Sequence, residues 1–281
     1  MVTKRNTSHW TTEYRHERTA AARLARAAGV RNERNDRQEA ATKALEWLAW
    51  HGYSTVPILQ RLTGRSRRLI DWMKSEDWIY FQYQMVRSKR RRRHGAAYSI
   101  TSTVFLTRKG FNLVGKRLGL TLCRVQDAPE LARHNLLTQL VGIALLRQGE
   151  REMAFTAHVP RTMNVGEPDL MNKFRPDARL EISPPTVSMI DPETGSFPYQ
   201  GGLFFIEVER SKKTPAELYR LASKLVVLSS WGQPVLATEQ ESTMKALRAG
   251  IDAVNADGFD WSKVETMVLA SSHPDLLELL D

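Results

Sequence analysis

The chain has 281 residues, of which 42% are hydrophobic and 26% charged, and its net charge of +10 describes a basic globular protein large enough for two domains. No apolar run is long enough for a membrane helix, and residues 1–7 lack the apolar segment of a signal peptide, so we expect a cytoplasmic protein that does not contact a membrane. The single cysteine, Cys123, excludes a disulfide framework and a cysteine-based zinc site, and we expect it to be a small buried apolar residue.

The charge is divided unevenly along the chain. Residues 1–126 contain 26 Lys and Arg against 9 Asp and Glu, whereas residues 127–281 contain 15 against 22. This division predicts a basic module that holds a polyanion and an acidic module with another task. We place a basic N-terminal arm at 1–36, a first domain at 37–126 and a second domain at 127–281.

The predicted arm alternates Lys and Arg with Ala, Thr and Asn. Its Ala-rich piece, Thr19–Ala28, has the composition of a helix but no wide apolar face. We expect the arm either to become ordered on a nucleic acid or to act only as a solubilising extension.

Three short helices are predicted between Asp36 and the strand that begins at Trp78. Their inward-facing residues recur at helical spacing: Ala40, Ala44, Leu45, Trp47, Leu48, Val56, Ile58, Leu59, Leu62, Leu69, Ile70 and Met73. We expect Ser54 to cap the second helix and Ser66 the third, because a serine hydroxyl can accept a hydrogen bond from the first turn. The turn at Thr63–Ser66 separates these two helices.

Two strands rich in aromatic and β-branched residues follow, at Trp78–Val86 and Ala97–Leu106. The predicted tip between them carries six cations: Arg87, Lys89, Arg90, Arg91, Arg92 and Arg93. A charge run is usually a disordered tail or a solvated face. At the tip of a hairpin, however, the scaffold would direct all six at one place. Thr107–Gly115 then predicts a closing helix.

This order of helices, strands and basic tip is that of a winged helix-turn-helix, whose third helix enters the major groove of duplex DNA. Duplex DNA carries about one negative charge per 1.7 Å of axis, so we predict double-stranded DNA as the partner. The predicted DNA contacts are the exposed cations of the third helix and of the tip: Arg65, Arg67, Arg68, Lys74, Arg87, Lys89, Arg90, Arg91, Arg92 and Arg93. The alternative is a winged helix that contacts a protein, but a protein partner rarely needs so dense a cationic surface.

The acidic half is predicted to begin with a helix at Pro129–Gln148. Its apolar residues are mostly expected in the core: Leu131, Leu136, Leu137, Leu140, Val141, Ile143, Ala144, Leu145 and Leu146. His134 and Gln139 are its polar interruptions, and we interpret His134 as a histidine at the edge of the core rather than a ligand. A short strand is predicted at Phe155–Val159.

Two longer strands are predicted at Phe174–Ile182 and Leu203–Arg210, joined by a long hairpin turn at 183–200. The period-2 alternation places Asp177 on the polar face of the first strand. It also places two acids, Glu207 and Glu209, on one side of a strand that is otherwise strongly apolar. Burying them is costly unless a divalent cation or a lysine pairs with them. The alternative is an edge strand whose acidic face is solvated.

The helix that follows has a clear start. Thr214 is the expected N-cap, Pro215 suits the first turn, and Glu217 completes a capping box. Lys224 lies on another face of this helix and could reach back to the acids. The remainder, from Trp231 to Asp281, predicts further α/β elements that cover the sheet.

These residues resemble two known groups of proteins. Pro176-Asp177 followed by Glu207-Val208-Glu209 on the next strand resembles the PD-(D/E)xK nuclease superfamily. The chain also resembles the replication-relaxation family, which includes MobC-type plasmid mobilisation proteins. This resemblance lies in the winged helix together with four short segments: Leu106–Gly110 (Leu-Thr-Arg-Lys-Gly), Arg133–Leu137 (Arg-His-Asn-Leu-Leu), Pro176–Ala178 (Pro-Asp-Ala) and Ile206–Arg210 (Ile-Glu-Val-Glu-Arg). The likeness covers roughly residues 37–230, and its motifs are short. It implies a PD-(D/E)xK-like α/β domain with a mixed central sheet behind the winged helix.

The resemblance also implies a metal site. Asp177 and Glu207, with Glu209 beside them, would supply oxygen ligands to Mg²⁺ or Mn²⁺, and hard cations prefer such ligands. Asp169 lies in a second Pro-Asp pair and competes for the place of the first ligand.

In this superfamily a lysine near the attacking water completes the site, but Glu209 occupies that position here. Some members move the lysine to the adjacent helix. Lys224 is therefore the candidate catalytic lysine, with Lys212 and Lys213 behind it.

Two functions are compatible with this sequence. In the first, the protein is a relaxase of plasmid or mobile-element mobilisation that nicks origin DNA by metal-dependent hydrolysis, without a covalent protein–DNA intermediate. In the second, it is a non-catalytic DNA-binding accessory or regulator with a degenerate nuclease domain. A tyrosine relaxase is not expected, because the sequence has no His-x-His metal motif. Other mobilisation proteins and a second copy of the chain are the further expected partners.

Overall fold

The computed structural model describes residues 33–87, 98–118, 129–148, 155–158, 176–182 and 202–280. Several predictions concern residues outside these ranges. They are the N-terminal arm through residue 32, the tip cations Lys89 and Arg90–Arg93, the environment of Cys123, the role of Asp169 and the turn at 183–200.

The first three helices occur in the predicted order. They are α1 (Glu33–His51), α2 (Val56–Thr63) and α3 (Arg67–Ser75). The turn between α2 and α3 passes through Gly64 at φ 64°, a left-handed conformation that a glycine adopts without a steric penalty.

The predicted cap of α2 is wrong by one residue. The N-cap is Thr55, whose Oγ1 accepts a hydrogen bond from the Ile58 N–H at 3.4 Å. Ser54 instead lies in a short strand, β1 (Tyr53–Thr55), and donates its hydroxyl to Gln139 at 2.7 Å. At the start of α3, Ser66 occupies the predicted N-cap position but makes no side-chain cap hydrogen bond.

The predicted hairpin is confirmed. Strands β2 (Ile79–Arg87) and β3 (Tyr98–Leu106) pair antiparallel, from Ile79 opposite Leu106 to Arg87 opposite Tyr98. Strand β1 pairs with the other edge of β3, so the order of this small sheet is β1-β3-β2. The predicted closing helix is also found, as α4 (Arg108–Leu118).

The second half contains a five-stranded mixed sheet, and the predicted α/β class with a mixed sheet is confirmed. Its strands, in spatial order, are β4 (Phe155–His158), β5 (Ala178–Ile182), β6 (Gly202–Glu209), β7 (Gln233–Thr238) and β8 (Glu265–Val268). Pairs β4–β5 and β5–β6 are antiparallel, whereas β6–β7 and β7–β8 are parallel. The tail therefore extends the sheet as well as covering it.

Three long helices and several short ones accompany this sheet. The long ones are α5 (Pro129–Gln148), with the predicted bounds, α6 (Pro215–Ser229) and α7 (Glu241–Val254). The short ones are a 3-10 turn (Trp261–Lys263), α8 (Leu269–Ser272), α9 (Pro274–Leu277) and a second 3-10 turn (Glu278–Leu280). None of the described helices is both long and apolar enough to span a membrane.

The two halves share one apolar core. A single cluster of buried residues includes Trp47 of α1, Leu140 of α5 and Ile206 of β6. Helix α5 contacts β2 of the small sheet and β6 of the large sheet, and its Gln139 forms hydrogen bonds with Ser54 and Tyr53 of β1. Most of the apolar residues of α5 are buried as expected, whereas Leu131 in its first turn is 42% exposed. The core therefore continues across the boundary predicted at 126/127.

Candidate active site

Asp177 lies directly before β5, so its predicted place within the strand is wrong, and it is tied to the neighbouring strand by two hydrogen bonds. Its N–H donates to the Ile206 carbonyl at 2.9 Å, and its Oδ2 accepts from the Val208 N–H at 2.8 Å. These contacts hold the carboxylate beside the last residues of β6. The predicted faces of β5 are also found, because Ala178 and Leu180 are buried in the core.

The second oxygen of Asp177 faces helix α5. Nε2 of His134 lies 3.0 Å from Oδ1 of Asp177. Burial lowers the pKa of His134, but the hydrogen bond and the negative charge of Asp177 outweigh burial and raise it above its ordinary value. For Asp177, burial acts to raise the pKa, and the contacts with His134 and the Val208 N–H bring it below the ordinary value.

Sequence reasoning missed this role of His134. It treated the residue as part of the edge of the core, whereas the structure brings it to a carboxylate far away in the chain. The only signal was a polar residue next to Arg133 in a helix that is otherwise largely apolar.

Glu207 is the most buried acid of the cluster, with a residue exposure of 4%. Its Oε1 forms an ion pair with Nζ of Lys224 at 2.5 Å, as the position of Lys224 on α6 predicted. Burial raises the pKa of Glu207 well above its usual value, and the negative charge of Asp177 raises it further, against the opposing effect of Lys224. Burial is thus the main reason that the charged form of Glu207 is disfavoured.

Glu209 pairs with a different lysine. Its Oε2 lies 2.8 Å from Nζ of Lys213, on the loop that leads into α6. Burial raises the pKa of Glu209, and the Lys213 pair counteracts part of this effect. Lys212, the other reserve candidate for the catalytic lysine, is exposed.

Helix α6 starts where the sequence predicted. Thr214 Oγ1 accepts from the Glu217 N–H at 3.4 Å, and Glu217 Oε2 accepts from the Thr214 N–H at 2.8 Å, which forms a capping box. Lys224, farther along the same helix, pairs with the carboxylate of Glu207.

A cleft of about 510 Å³ opens between the end of β6 and α6. Both acids of β6 and both paired lysines line it, and so do the following residues of α6: Glu217, Tyr219, Arg220, Leu221 and Ser223. Tyr219 is 46% exposed. Acidic and basic groups thus face one solvent-accessible space, an arrangement typical of sites for general acid–base or metal-assisted chemistry.

A second ion pair ties α5 to the same end of the sheet. Arg133 donates to Glu239, which directly follows β7, with Nη2 at 2.9 Å from Oε1. Both residues are buried. Consecutive residues of α5, Arg133 and His134, therefore hold acids that lie at the ends of two different strands.

The acids of the cluster fit a hard cation in their chemistry. Glu207 and Glu209, which line the cleft, and Asp177 beside them offer carboxylate oxygens, the ligands that hard cations prefer. The acids are nevertheless engaged by His134, Lys213 and Lys224. Among the described residues, no three or more His, Cys, Asp or Glu side chains form a group arranged to hold a metal ion.

The predicted DNA-contacting residues within the described ranges lie on a different part of the surface. Arg65, Arg67, Arg68 and Lys74 are all exposed on α3 and the turn before it. The side chains of Arg67 and Lys74 also lie over the ring of Phe81 on β2. The ring centroid is 5.6 Å from Cζ of Arg67 and 5.1 Å from Nζ of Lys74. The last residue of β2, opposite Tyr98, is Arg87.

Two of these cations have acidic neighbours. Arg65 lies 3.6 Å from Asp36, and Arg67 lies 3.2 Å from Asp71 one turn along α3. Both arginines are exposed, so water and salt screen these pairs, and the cations stay accessible to an anionic partner.

A scan against protein-family models, a search of curated proteins and a search of solved structures each found no match to this chain.

Proposed function

We propose that this protein binds double-stranded DNA and nicks it by metal-dependent phosphodiester hydrolysis. The observation that carries the proposal is the cleft beside β6, where Glu207 and Glu209 face Lys224 and Lys213 next to the Asp177 carboxylate. The exposed cations of α3 form a surface that can bind a polyanion, and the groups of the cleft are suited to hydrolysis of the phosphodiester bonds of its backbone.

The proposal of DNA binding rests on the first half of the chain. Helices α2 and α3 are joined by a tight turn at Gly64, and a two-stranded antiparallel hairpin follows α3. We assign this arrangement to the winged helix-turn-helix class, with α3 in the major groove. Its exposed cations, Arg67 and Arg68 at the helix start and Lys74 near its end, would then contact bases and phosphates.

The proposal of hydrolysis rests on the roles that the cleft residues can take. Asp177 and Glu207, with Glu209, would hold Mg²⁺ or Mn²⁺, which when bound polarises the phosphate and stabilises the leaving oxygen. Lys224 would stabilise the developing negative charge at the phosphate or orient the attacking water. His134 would keep the Asp177 carboxylate turned toward β6 through its 3.0 Å contact.

The family and biological role are part of the same proposal. The segments that resemble the replication-relaxation family include Arg133–Leu137 and Ile206–Arg210, and these contribute His134, the partner of Asp177, and Glu207, which lines the cleft. We therefore propose a relaxase of plasmid or mobile-element mobilisation that acts in the cytoplasm. It would work with other mobilisation proteins and with a second copy of itself.

Nicking of a supercoiled plasmid tests this proposal. Duplexes that bind the protein are first selected from a random-sequence pool and then cloned into the plasmid. With Mg²⁺ or Mn²⁺ the wild-type protein is expected to produce the open circular form. Asp177→Asn and Glu207→Gln are expected to bind the same duplex but not to cut it. Asp257→Asn, which changes an exposed acid outside the cleft, is the matched control and should cut normally.

Metal binding is measured separately by a thermal shift. A cation would displace Lys224 and Lys213 from the carboxylate oxygens, and because a ligand that binds the folded state stabilises it, added Mn²⁺ should raise the melting temperature of the wild type. Glu207→Gln lacks one of these carboxylates, so its melting temperature should not rise. A rise in melting temperature of equal size in both proteins would show that Glu207 does not bind the metal ion.

A second candidate function, a non-catalytic DNA-binding accessory or regulator, is favoured by one observation. Every acid of the cluster already has a basic partner, and both oxygens of Asp177 are engaged. In this case the cluster only stabilises the fold. Tight binding of the selected duplex with neither a Mn²⁺ thermal shift nor nicking would establish this alternative.

A further inference from the structure

Tyr219 and Arg220 of α6 line the cleft together with the lysines that pair with the acids of β6. Both residues are exposed. They lie one helical turn before Ser223 and Lys224, which also line the cleft. The cleft therefore extends from the ion pair of Lys224 along α6 to an aromatic ring and a guanidinium group.

The ring of Tyr219 is accessible to a ligand. Tyr219 is 46% exposed, whereas Tyr53 on β1 is 1% exposed and packs on Phe105. The buried side of α6 is formed by the leucines that follow its helical spacing, so this tyrosine is not part of the apolar core. An accessible aromatic ring in the wall of a cleft offers a flat face on which a nucleic-acid base can stack.

The side chain of Arg220 is placed to bind a phosphate. Its Nε donates to the Ala216 carbonyl at 3.3 Å, which directs the side chain back along α6. This bond uses one of the five N–H donors of the guanidinium group, and a phosphate can accept from the others. Lys224 lies about 6 Å farther along the helix axis, so the two cations can contact different phosphates of one strand.

The size of the cleft limits what can enter it. Its volume of about 510 Å³ lies within the range of about 300–1,000 Å³ that is typical of sites for small ligands. Such a space accommodates about one or two nucleotides of one strand rather than a stacked duplex. Glu207 is 4% exposed, so a phosphate that reaches a metal ion at this acid has to enter the cleft. A base that enters with the phosphate leaves the stack of the duplex.

We propose that the cleft contains a subsite for one unpaired nucleotide next to the scissile phosphate, with its base stacked on Tyr219 and its phosphate bound by Arg220. This inference deepens the proposed function and rests on it, because the cut is assigned to the same cleft. Unpairing a base costs free energy, and stacking on an aromatic side chain offsets part of that cost. The protein should therefore prefer DNA that is locally open at the cut.

The first experiment measures binding to the subsite without a cut. The probe is a tetranucleotide of thymidine with one 2-aminopurine, whose fluorescence reports the surroundings of the base. Its few phosphates limit binding to cationic surfaces elsewhere on the protein. The full chain is titrated in Ca²⁺, which carboxylate oxygens also bind, and the length of the probe is checked afterwards. The variants are Tyr219→Leu, Tyr219→Phe and Arg220→Ala. Lys245→Ala, at an exposed cation of α7 outside the cleft, is the matched control for loss of a positive charge.

Tyr219→Leu is expected to bind the probe at least about fivefold more weakly, because leucine is apolar but has no aromatic face. Tyr219→Phe keeps the ring and should bind as the wild type does. Arg220→Ala should reduce the steepness of log K against log salt by about 0.7, the value for one phosphate contact of a single strand. Lys245→Ala should leave this steepness unchanged.

The second experiment compares nicking of the selected duplex by the wild type and by Tyr219→Leu. The cut is mapped by sequencing, and the nucleotides on its two sides are replaced in turn by an abasic residue. Tyr219→Leu should cut the normal duplex at least about fivefold more slowly. With the abasic residue in the subsite the two proteins should cut at equal rates, because no base is left to stack. A mismatch at the same position should accelerate cutting by the wild type several-fold, since the base is already unpaired.

The outcomes separate this inference from the proposed function. If Tyr219→Leu binds the probe as the wild type does, the subsite is wrong, and nicking by the wild type still supports the proposed function. If Tyr219 is needed for binding of the probe but the wild type never nicks a duplex, the proposed hydrolysis is wrong and the cleft binds unpaired nucleotides without cutting them. If Tyr219→Leu slows cutting equally on normal and abasic duplexes, the ring does not act on a base, and the subsite is again wrong.

Discussion

Nζ of Lys224 on α6 lies 2.5 Å from Oε1 of Glu207 on β6. The Glu207 side chain is 5% exposed and that of Lys224 is 21% exposed, so water screens this ion pair only weakly. The pair joins the helix to the strand at the point where the cleft opens. This pair at the cleft therefore also contributes to the free energy of folding.

Lys224→Met should therefore destabilise the protein. Removing one partner of a buried pair usually costs about 3–5 kcal/mol, but the raised pKa of Glu207 allows the acid to take up a proton, so we expect about 1–3 kcal/mol. A carboxyl group with a raised pKa is least harmful when protonated, so the loss should grow as the pH rises above the ordinary value for glutamate. Urea unfolding at several pH values measures it.

The double variant Lys224→Met/Glu207→Gln is the control for this prediction. It removes both charges, so most of the lost stability should return. If the double variant is no more stable than Lys224→Met, the ion pair does not account for the effect.

Gln139→Leu should destabilise the junction between the two halves. Gln139 Oε1 accepts from Trp47 Nε1 at 2.8 Å and from Ser54 Oγ at 2.7 Å, and its amide donates to the Tyr53 carbonyl at 2.8 Å. The substitution removes these three hydrogen bonds from buried groups, which we expect to cost about 2–4 kcal/mol. Chemical denaturation measures the change.

The matched control is Gln38→Leu, the same substitution at an exposed residue of α1. It should change the free energy of unfolding by less than about 0.5 kcal/mol. Equal losses at the two positions would contradict the role given to Gln139.

His51 should make the protein less stable as the pH falls. It is 5% exposed and packs against Trp47, and burial lowers its pKa from 6.5 to about 3, with a smaller opposing effect of Asn135. The folded protein therefore keeps His51 neutral between these values, whereas the unfolded chain binds a proton. The stability from neutral His51 is complete above pH 6.5 and is lost as the pH falls toward 3. Between pH 7 and pH 5 this amounts to about 2 kcal/mol.

Comparison with His51→Gln isolates this contribution, because the other titrating groups are shared. The variant should show a shallower loss of stability between pH 7 and pH 5, by about the amount given above. Parallel curves for the two proteins would show that His51 is not the group responsible.

Gly110→Ala should disrupt the start of α4. A Cβ atom at Gly110 would lie 2.0 Å from the Trp78 carbonyl oxygen, which is a backbone atom and also accepts the Thr107 N–H at 3.0 Å. The backbone has to shift, so we expect a loss of about 1–3 kcal/mol. Asn112→Ala, at an exposed position of the same helix, is the control and should change the melting temperature little. An unchanged melting temperature for Gly110→Ala would show that the backbone accommodates a Cβ atom at this position without loss of stability.

Some features of the fold could be predicted from the sequence because they depend on neighbouring residues. The capping box of Thr214 and Glu217 is local, and so is the start of α5 at Pro129. The alternation that buries Ala178 and Leu180 follows from the pleat of a single strand. The cap of α2 could not be predicted in the same way, because the pairing of β1 with β3 takes Ser54 into a strand.

The sequence by itself determined the basic and acidic halves, most helices and strands, and the acids of β6 that share one side. The tertiary structure alone decided which groups neutralise these acids. His134 meets Asp177 only because α5 packs across the sheet, and Lys213 rather than Lys212 reaches Glu209 because of how the chain enters α6. Periodicity specifies which face a side chain is on, but the packing of distant elements specifies its neighbours, and burial beside those neighbours sets each pKa.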